Sequence, residues 1–283
     1  MGIPTKTYFT TEDGAKIYYT DQGHGSPLVF VHGWLCSSRF WSNNIPTLAE
    51  KYRVIALDLR GHGYSTKVAF GNTISQYAKD IRELIKKLDL QNVNLVGWSM
   101  GGPVVLSYWE QFFHNHRLNT MTLIDISPAP LSSQPWNTHS LRENNLEGMI
   151  NTLVKLEQER DMYLDTFIKG MFSKDEEIQS DDYDWILHEL RKTPVAIALS
   201  IYSDNIMSDH SHILQTINIP TIVFGANSRK RVGKGMLMAK FIADSIPDSE
   251  FHFFEDAGHM LFHEKAERFN TLLMKFINDR NPD

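Results

Sequence analysis

Val93-Asn94-Leu95-Val96-Gly97-Trp98-Ser99-Met100-Gly101-Gly102-Pro103 sets the pattern G-x-S-x-G between a β-prone apolar run and a helix-like stretch, Val104 to Gln111. Strand, sharp turn and helix are the setting in which this pattern forms a nucleophile elbow. The chain reverses within a few residues, and the serine at the apex takes a strained backbone angle. Small residues on either side keep side chains out of the turn. Such a turn leaves a hydroxyl standing proud of a sheet, placed to attack a carbonyl carbon.

Outward from this turn, short apolar runs alternate with amphipathic stretches. Tyr8–Thr10 and Lys16–Thr20, joined across Glu12-Asp13-Gly14, read as an antiparallel hairpin. Pro27–His32, Arg53–Asp58, Val93–Gly97, Thr120–Ile126, Pro220–Ala226 and Glu250–Phe254 are rich in Val, Ile, Leu and Phe without alternation. Strands buried on both faces of a parallel sheet read this way. Ile74–Leu88 and Glu264–Asp279 repeat apolar residues with a 3.6-residue rhythm. Repeated β-α units predict a doubly wound sheet with right-handed crossovers. Residues 130–212 break the alternation. They carry no strand signal and read as helices over Leu146–Glu159, Met162–Phe172, Tyr183–Arg191 and Pro194–Ser203. The expected organisation is a core of residues 1–129 and 213–283, with 130–212 inserted as a helical cap above the strands' carboxyl ends.

A chain of 283 residues, 42% hydrophobic, suits one large domain with an insertion. The net charge of −6 comes from acids and bases spread along the chain, and Arg229-Lys230-Arg231 is too short to make a basic stripe. Nucleic acid is therefore not an expected partner. The single cysteine, Cys36, excludes an internal disulfide and reads as a small buried hydrophobe. Met1–Gly14 does not read as a signal peptide, and no apolar stretch is long enough to span a bilayer. A cytoplasmic protein is the expectation, and a homodimer is compatible with it.

A serine hydroxyl needs a base, and the base an orienting acid. Asp256-Ala257-Gly258-His259 follows the last strand run and precedes the last helical stretch, so His259 is the expected base. An oxyanion hole needs two backbone N–H groups, each worth about 3 kcal/mol of barrier. Met100, after the serine, supplies one, and Trp34 in His32-Gly33-Trp34 is the candidate for the other. His210-x-His212 lacks a set of ligands at metal-binding spacing, so no metal is expected.

Four segments, Pro27–Trp34 (PLVFVHGW), Asp58–Ser65 (DLRGHGYS), Val96–Gly102 (VGWSMGG) and Ala257–His259 (AGH), resemble the signature segments of the α/β-hydrolase superfamily. The likeness is greatest to its esterase and cofactor-free haloperoxidase-like branch, and it runs over nearly the whole chain outside the insertion. It implies a mostly parallel, eight-stranded sheet flanked by helices, a Ser–His–acid triad, a helical lid and no cofactor. It also implies that Asp58-Leu59-Arg60-Gly61-His62-Gly63 braces the core loops, so its charges are expected to be structural.

One segment departs from the pattern. The family's usual acid follows the seventh strand, where this chain reads Gly225-Ala226-Asn227-Ser228-Arg229-Lys230. Neither Ser228 nor Arg229 can accept an imidazolium's charge, and a guanidinium there would depress the base. The best substitute is Asp125, at the end of Met121-Thr122-Leu123-Ile124, a strand end where some members of the superfamily carry their acid. A carboxylate in such an apolar setting needs a partner, and His259 would be it. The alternative for Asp125 is a turn cap or an arginine partner; Asp204, Asp209 and Asp256 are weaker candidates for the acid.

The insertion carries Trp136, Met149, Phe167, Met171, Phe172, Tyr183, Trp185 and Tyr202. Some of these should line a cleft above Ser99. Trp34, Trp136, Trp185 and Phe167 are the expected substrate-binding side chains. The leading expectation is a serine hydrolase cleaving a small-to-medium apolar carboxylic ester, lactone or thioester through an acyl-enzyme. The same residues would serve an acyl-homoserine-lactone-type lactonase, a C–C bond hydrolase or a perhydrolase. A reading of another class is a ligand receptor on this fold, supported only by the acid missing after the seventh strand.

Overall fold

The computed structural model describes residues 7–139, 142, 146–173, 178–227 and 235–280. Its strands are β1 (Thr7–Thr10), β2 (Lys16–Gln22), β3 (Pro27–Val31), β4 (Arg53–Leu57), β5 (Val93–Trp98), β6 (Leu118–Ile124), β7 (Thr221–Ala226) and β8 (Ser249–Phe254). They form one eight-stranded sheet in the order β1-β2-β4-β3-β5-β6-β7-β8. The β1–β2 and β2–β4 pairs are antiparallel, and every other pair is parallel. This is the α/β-hydrolase fold that the sequence predicts. The unalternating apolar runs are buried along almost their whole length in β3, β4, β5 and β7. Both faces are covered, which is why a period of two would have been misleading there.

The helices are α1 (Ile45–Leu48), α2 (Ile74–Lys87), α3 (Gly101–Phe112), α4 (Leu146–Gln158), α5 (Arg160–Met171), α6 (Ser180–Arg191), α7 (Val195–Met207), α8 (Gly235–Ser245), α9 (Leu261–Glu264) and α10 (Ala266–Arg280). Helices α4–α7 lie within 130–212, and among the described residues of that segment there is no strand. Several expected boundaries move by a few residues, and two of the shifts bear on the site. The run Thr120–Ile126 stops at Ile124 because Asp125 takes a left-handed φ of 42°, which ends the ladder. The stretch Glu264–Asp279 is a one-turn helix and a longer one, interrupted at Lys265.

The DLRGHG segment is tied to the core. Asp58 accepts the Ser38 and Tyr64 N–H groups at 2.7 and 2.6 Å. The fully buried Arg60 forks onto Asp80 and Asp13, with bonds of 2.6–2.9 Å. The hydrogen bond from Arg60 holds the Asp13 carboxyl down at about 2, against the modest opposing effect of burial. These charges brace loops, as expected from the resemblance.

Candidate active site

Ser99 is the residue between β5 and α3 and has φ +54°, a left-handed angle costing about 1–3 kcal/mol for a side chain other than glycine. Its N–H donates to the Ile124 carbonyl at 3.1 Å, and its carbonyl accepts the Gly102 N–H at 2.9 Å. The strain is held by close backbone approach. A Cβ at Gly97 would lie 2.5 Å from the Gly101 carbonyl oxygen, and one at Gly101 would overlap the Val31 carbonyl. The elbow therefore rests directly on β3.

The loop after β3 comes against the serine: a Cβ at Gly33 would be 3.0 Å from the Ser99 Cβ. His32 shapes this loop. Its Nε2 accepts the Leu59 N–H at 2.9 Å, which places the proton on Nδ1, and Nδ1–H donates to the Gly33 carbonyl at 2.7 Å. Burial holds this imidazole well below the ordinary histidine value, so it is neutral. Cys36 closes the turn, its N–H on the Gly33 carbonyl at 3.2 Å and its S–H on the Trp34 carbonyl at 3.2 Å. Its thiol is buried, and that burial pushes it well up. Among the described residues, no acceptor within the protein takes the Trp34 or Met100 N–H.

Asp125 and His259 meet. His259 Nδ1 lies 2.5 Å from Asp125 Oδ2, and the aspartate side chain is 1% exposed. Asp125 is fixed from the backbone, its N–H donating to the Phe224 carbonyl of β7 at 2.8 Å. His259 is held at its carbonyl by the Trp98 indole N–H, at 2.9 Å, and the two rings lie 5.2 Å apart. Behind Trp98 stand Phe40, Trp41 and Phe262, a fully buried aromatic wall.

The competing acids are engaged elsewhere. Asp204 accepts the Ile74 N–H at the start of α2, 2.7 Å away. Asp209 holds the Ser211 N–H and hydroxyl. Asp256 pairs with Lys265 and Arg268. Ser228 and Arg229 lie outside the described residues. His210 and His212 both lean on Glu110, at 3.3 Å each, and among the described residues no cluster of three metal-ligating side chains is assembled.

Ser99, Asp125 and His259 open into one cavity of about 720 Å³, with Trp34 and Met100 beside them. Phe167 and Met171 of α5 and Tyr202 of α7 form its apolar wall. Trp34 anchors that wall: its indole N–H donates to the Ala198 carbonyl of α7 at 3.0 Å, and its ring meets Tyr163, Phe167 and Tyr202. Thr152, Lys155 and Glu159 give the cavity a polar side in addition to the aromatic residues expected from the insertion. Two expected lining residues are elsewhere. Trp136 stacks on Phe241 of α8, with ring planes 3° apart, and Trp185 packs on Phe40 under the Arg39 guanidinium. Broad apolar faces served better to fix helices to the body than to meet a ligand. Phe172 is buried outside the cavity lining, Tyr183 bonds Asp165, and the Met149 side chain lies outside the described residues.

Residues 26–266 match the family model for the alpha/beta hydrolase fold. The chain belongs to that family. Among curated α/β hydrolases it is 28% identical over 275 residues to non-heme chloroperoxidase CPO-A1 of Kitasatospora aureofaciens, covering 95% of this chain and 98% of that protein. It is 25% identical over 276 residues to the AB hydrolase superfamily protein YisY of Bacillus subtilis, covering 96% and 98%. Among solved structures, an esterase from Exiguobacterium antarcticum superposes with a TM-score of 0.87 at 25% identity, covering 96% of this chain and 99% of that one. A bromoperoxidase from Bacillus anthracis superposes equally well at 26% identity. The chain is thus an α/β hydrolase of the esterase and haloperoxidase-like branch. No helix among the described residues is long and apolar enough to cross a membrane.

Proposed function

We propose that this hydrolase cleaves small-to-medium apolar carboxylic esters, lactones or thioesters included, through an acyl-enzyme on Ser99. The observation that carries the reading is the His259–Asp125 pair, 2.5 Å apart, opening into the same cavity as the strained Ser99. Asp125 bonds Nδ1 and orients the imidazole. Nε2 takes the Ser99 proton as Oγ adds to the carbonyl carbon, and the Met100 and Trp34 N–H groups stabilise the oxyanion. His259 then returns the proton to the leaving alcohol, and water repeats the sequence on the acyl-enzyme. The helices of 130–212 serve as the lid over this cavity. Labelling with a fluorophosphonate tests the reading. Wild type should label and hydrolyse p-nitrophenyl esters, and Ser99→Ala should do neither; equal, weak labelling of both would refute it.

The names of the relatives favour one second reading, perhydrolysis at the same site. Hydrogen peroxide in place of water would release a peracid from the acyl-enzyme, and the peracid would oxidise bromide. Bromination that depends on peroxide, on a carboxylic acid or ester and on Ser99 is its test. The receptor reading loses its one support, since His259 has a carboxylate partner at another strand end.

A further inference from the structure

The backbone around His259 is held by groups outside its own loop. The Met260 N–H donates to the Met171 carbonyl at the end of α5, 3.1 Å away. On the other side, the Gly258 N–H donates to Glu264 Oε1 at 2.7 Å. The second oxygen of the same carboxylate reaches the inserted helices: Oε2 accepts the Ser173 N–H at 3.1 Å and the Ser173 hydroxyl at 2.9 Å. The two segments it joins are flush. A Cβ at Gly258 would come within 2.5 Å of the Phe172 carbonyl carbon and the Ser173 nitrogen.

Two acceptor oxygens facing donors on both sides suit an ionised carboxylate. A primary amide would set its own N–H₂ against a backbone N–H on one side. Nor does the fold need this carboxylate for helix formation: Glu264 ends the single turn of α9, and its side chain points its bonds at Gly258 and Ser173.

We propose that Glu264 is a positioning residue for His259. It locks the Gly258 peptide to the Ser173 peptide, and so fixes the angle from which the imidazole meets Asp125 on one edge and the reacting hydroxyl on the other. Catalytic groups must be held within about 0.5 Å of their working geometry, and a misplacement of about 1 Å costs on the order of a hundredfold. The proposal deepens the serine-hydrolase reading and rests on it.

The test is Glu264→Gln, read by the rate of fluorophosphonate labelling, by kcat and KM on a p-nitrophenyl ester, and by the low-field proton resonance expected of the 2.5 Å Nδ1–Oδ2 contact. Labelling rate and kcat should fall about tenfold or more, with KM within about twofold, and the resonance should broaden or vanish. A variant that labels at the wild-type rate and keeps the resonance overturns the proposal, whatever happens to its melting temperature. Should the variant not fold, Ser173→Ala decides, because it removes only the hydroxyl donor. It should label about threefold more slowly at unchanged KM, and a wild-type rate overturns the role. Wild-type protein that fails to label sinks the hydrolase reading itself, which separates the two failures.

Discussion

On one side of the elbow, His32 and Asp58 follow strands β3 and β4; on the other, Asp125 follows β6 and His259 follows β8. Each side holds a histidine and an aspartate, and both aspartates are buried. Their partners differ. His32 uses both nitrogens on backbone groups, and Asp58 takes two backbone amides. That side has spent its hydrogen-bonding capacity on the loops after β3 and β4. Asp125 and His259 bond to one another through a single imidazole nitrogen, which leaves the other for the proton transfer proposed for it. Residue type is alike on both sides, though His32 is fully buried and His259 partly exposed; on the proposed reading, the capacity left over separates bracing from chemistry.

The sharpest test exchanges the two aspartates. Asp125→Asn should cut kcat by about 10³–10⁴-fold, since the amide selects the wrong imidazole tautomer, with little change in melting temperature. Asp58→Asn should do the reverse. Its amide N–H₂ would face the Ser38 or Tyr64 N–H, costing about 3 kcal/mol of stability, while the folded fraction turns over within about tenfold of wild type. Chemical denaturation beside steady-state kinetics reads both. Matching losses in the two variants would erase the distinction between the sides.

Protonation probes the bracing side through its two buried histidines. Burial pulls His62 down to about 4 and holds His32 well below 6.5. Between 6.5 and 4 the unfolded chain binds protons that the folded chain refuses, so stability falls as the pH drops through that window. The loss should reach a few kcal/mol, read from denaturant midpoints, and His62→Gln should flatten part of the slope. The smallest effect is expected at Asp204→Ala, which removes the acceptor at the start of α2 and should cost about 1 kcal/mol in thermal unfolding.

The fold was legible because its strands lie buried on both faces and so carry long apolar runs, and because G-x-S-x-G marks a turn that few residues tolerate. The pairing of Asp125 with His259 was an expectation of the resemblance, which implies an acid at this strand end when Ser228 and Arg229 stand at the usual place. The position of Asp125 just beyond β6, rather than within it, needed the backbone angle. Trp136 and Trp185 lie outside the cavity lining; an aromatic side chain that glues a helix and one that lines a cleft look the same in a sequence. Glu264 was hidden for a related reason. In a helical rhythm it reads as one more solvated acid, and only the fold brings Ser173 to it.

Trp98 has an optical consequence. Its indole stands 5.2 Å from the His259 ring, is almost wholly shielded from solvent and is tethered to the histidine carbonyl. An imidazolium at that range quenches indole emission and a neutral imidazole far less. The fluorescence lost in Trp98→Phe would therefore report the charge on the His259 ring in resting protein, with no substrate added and no turnover required.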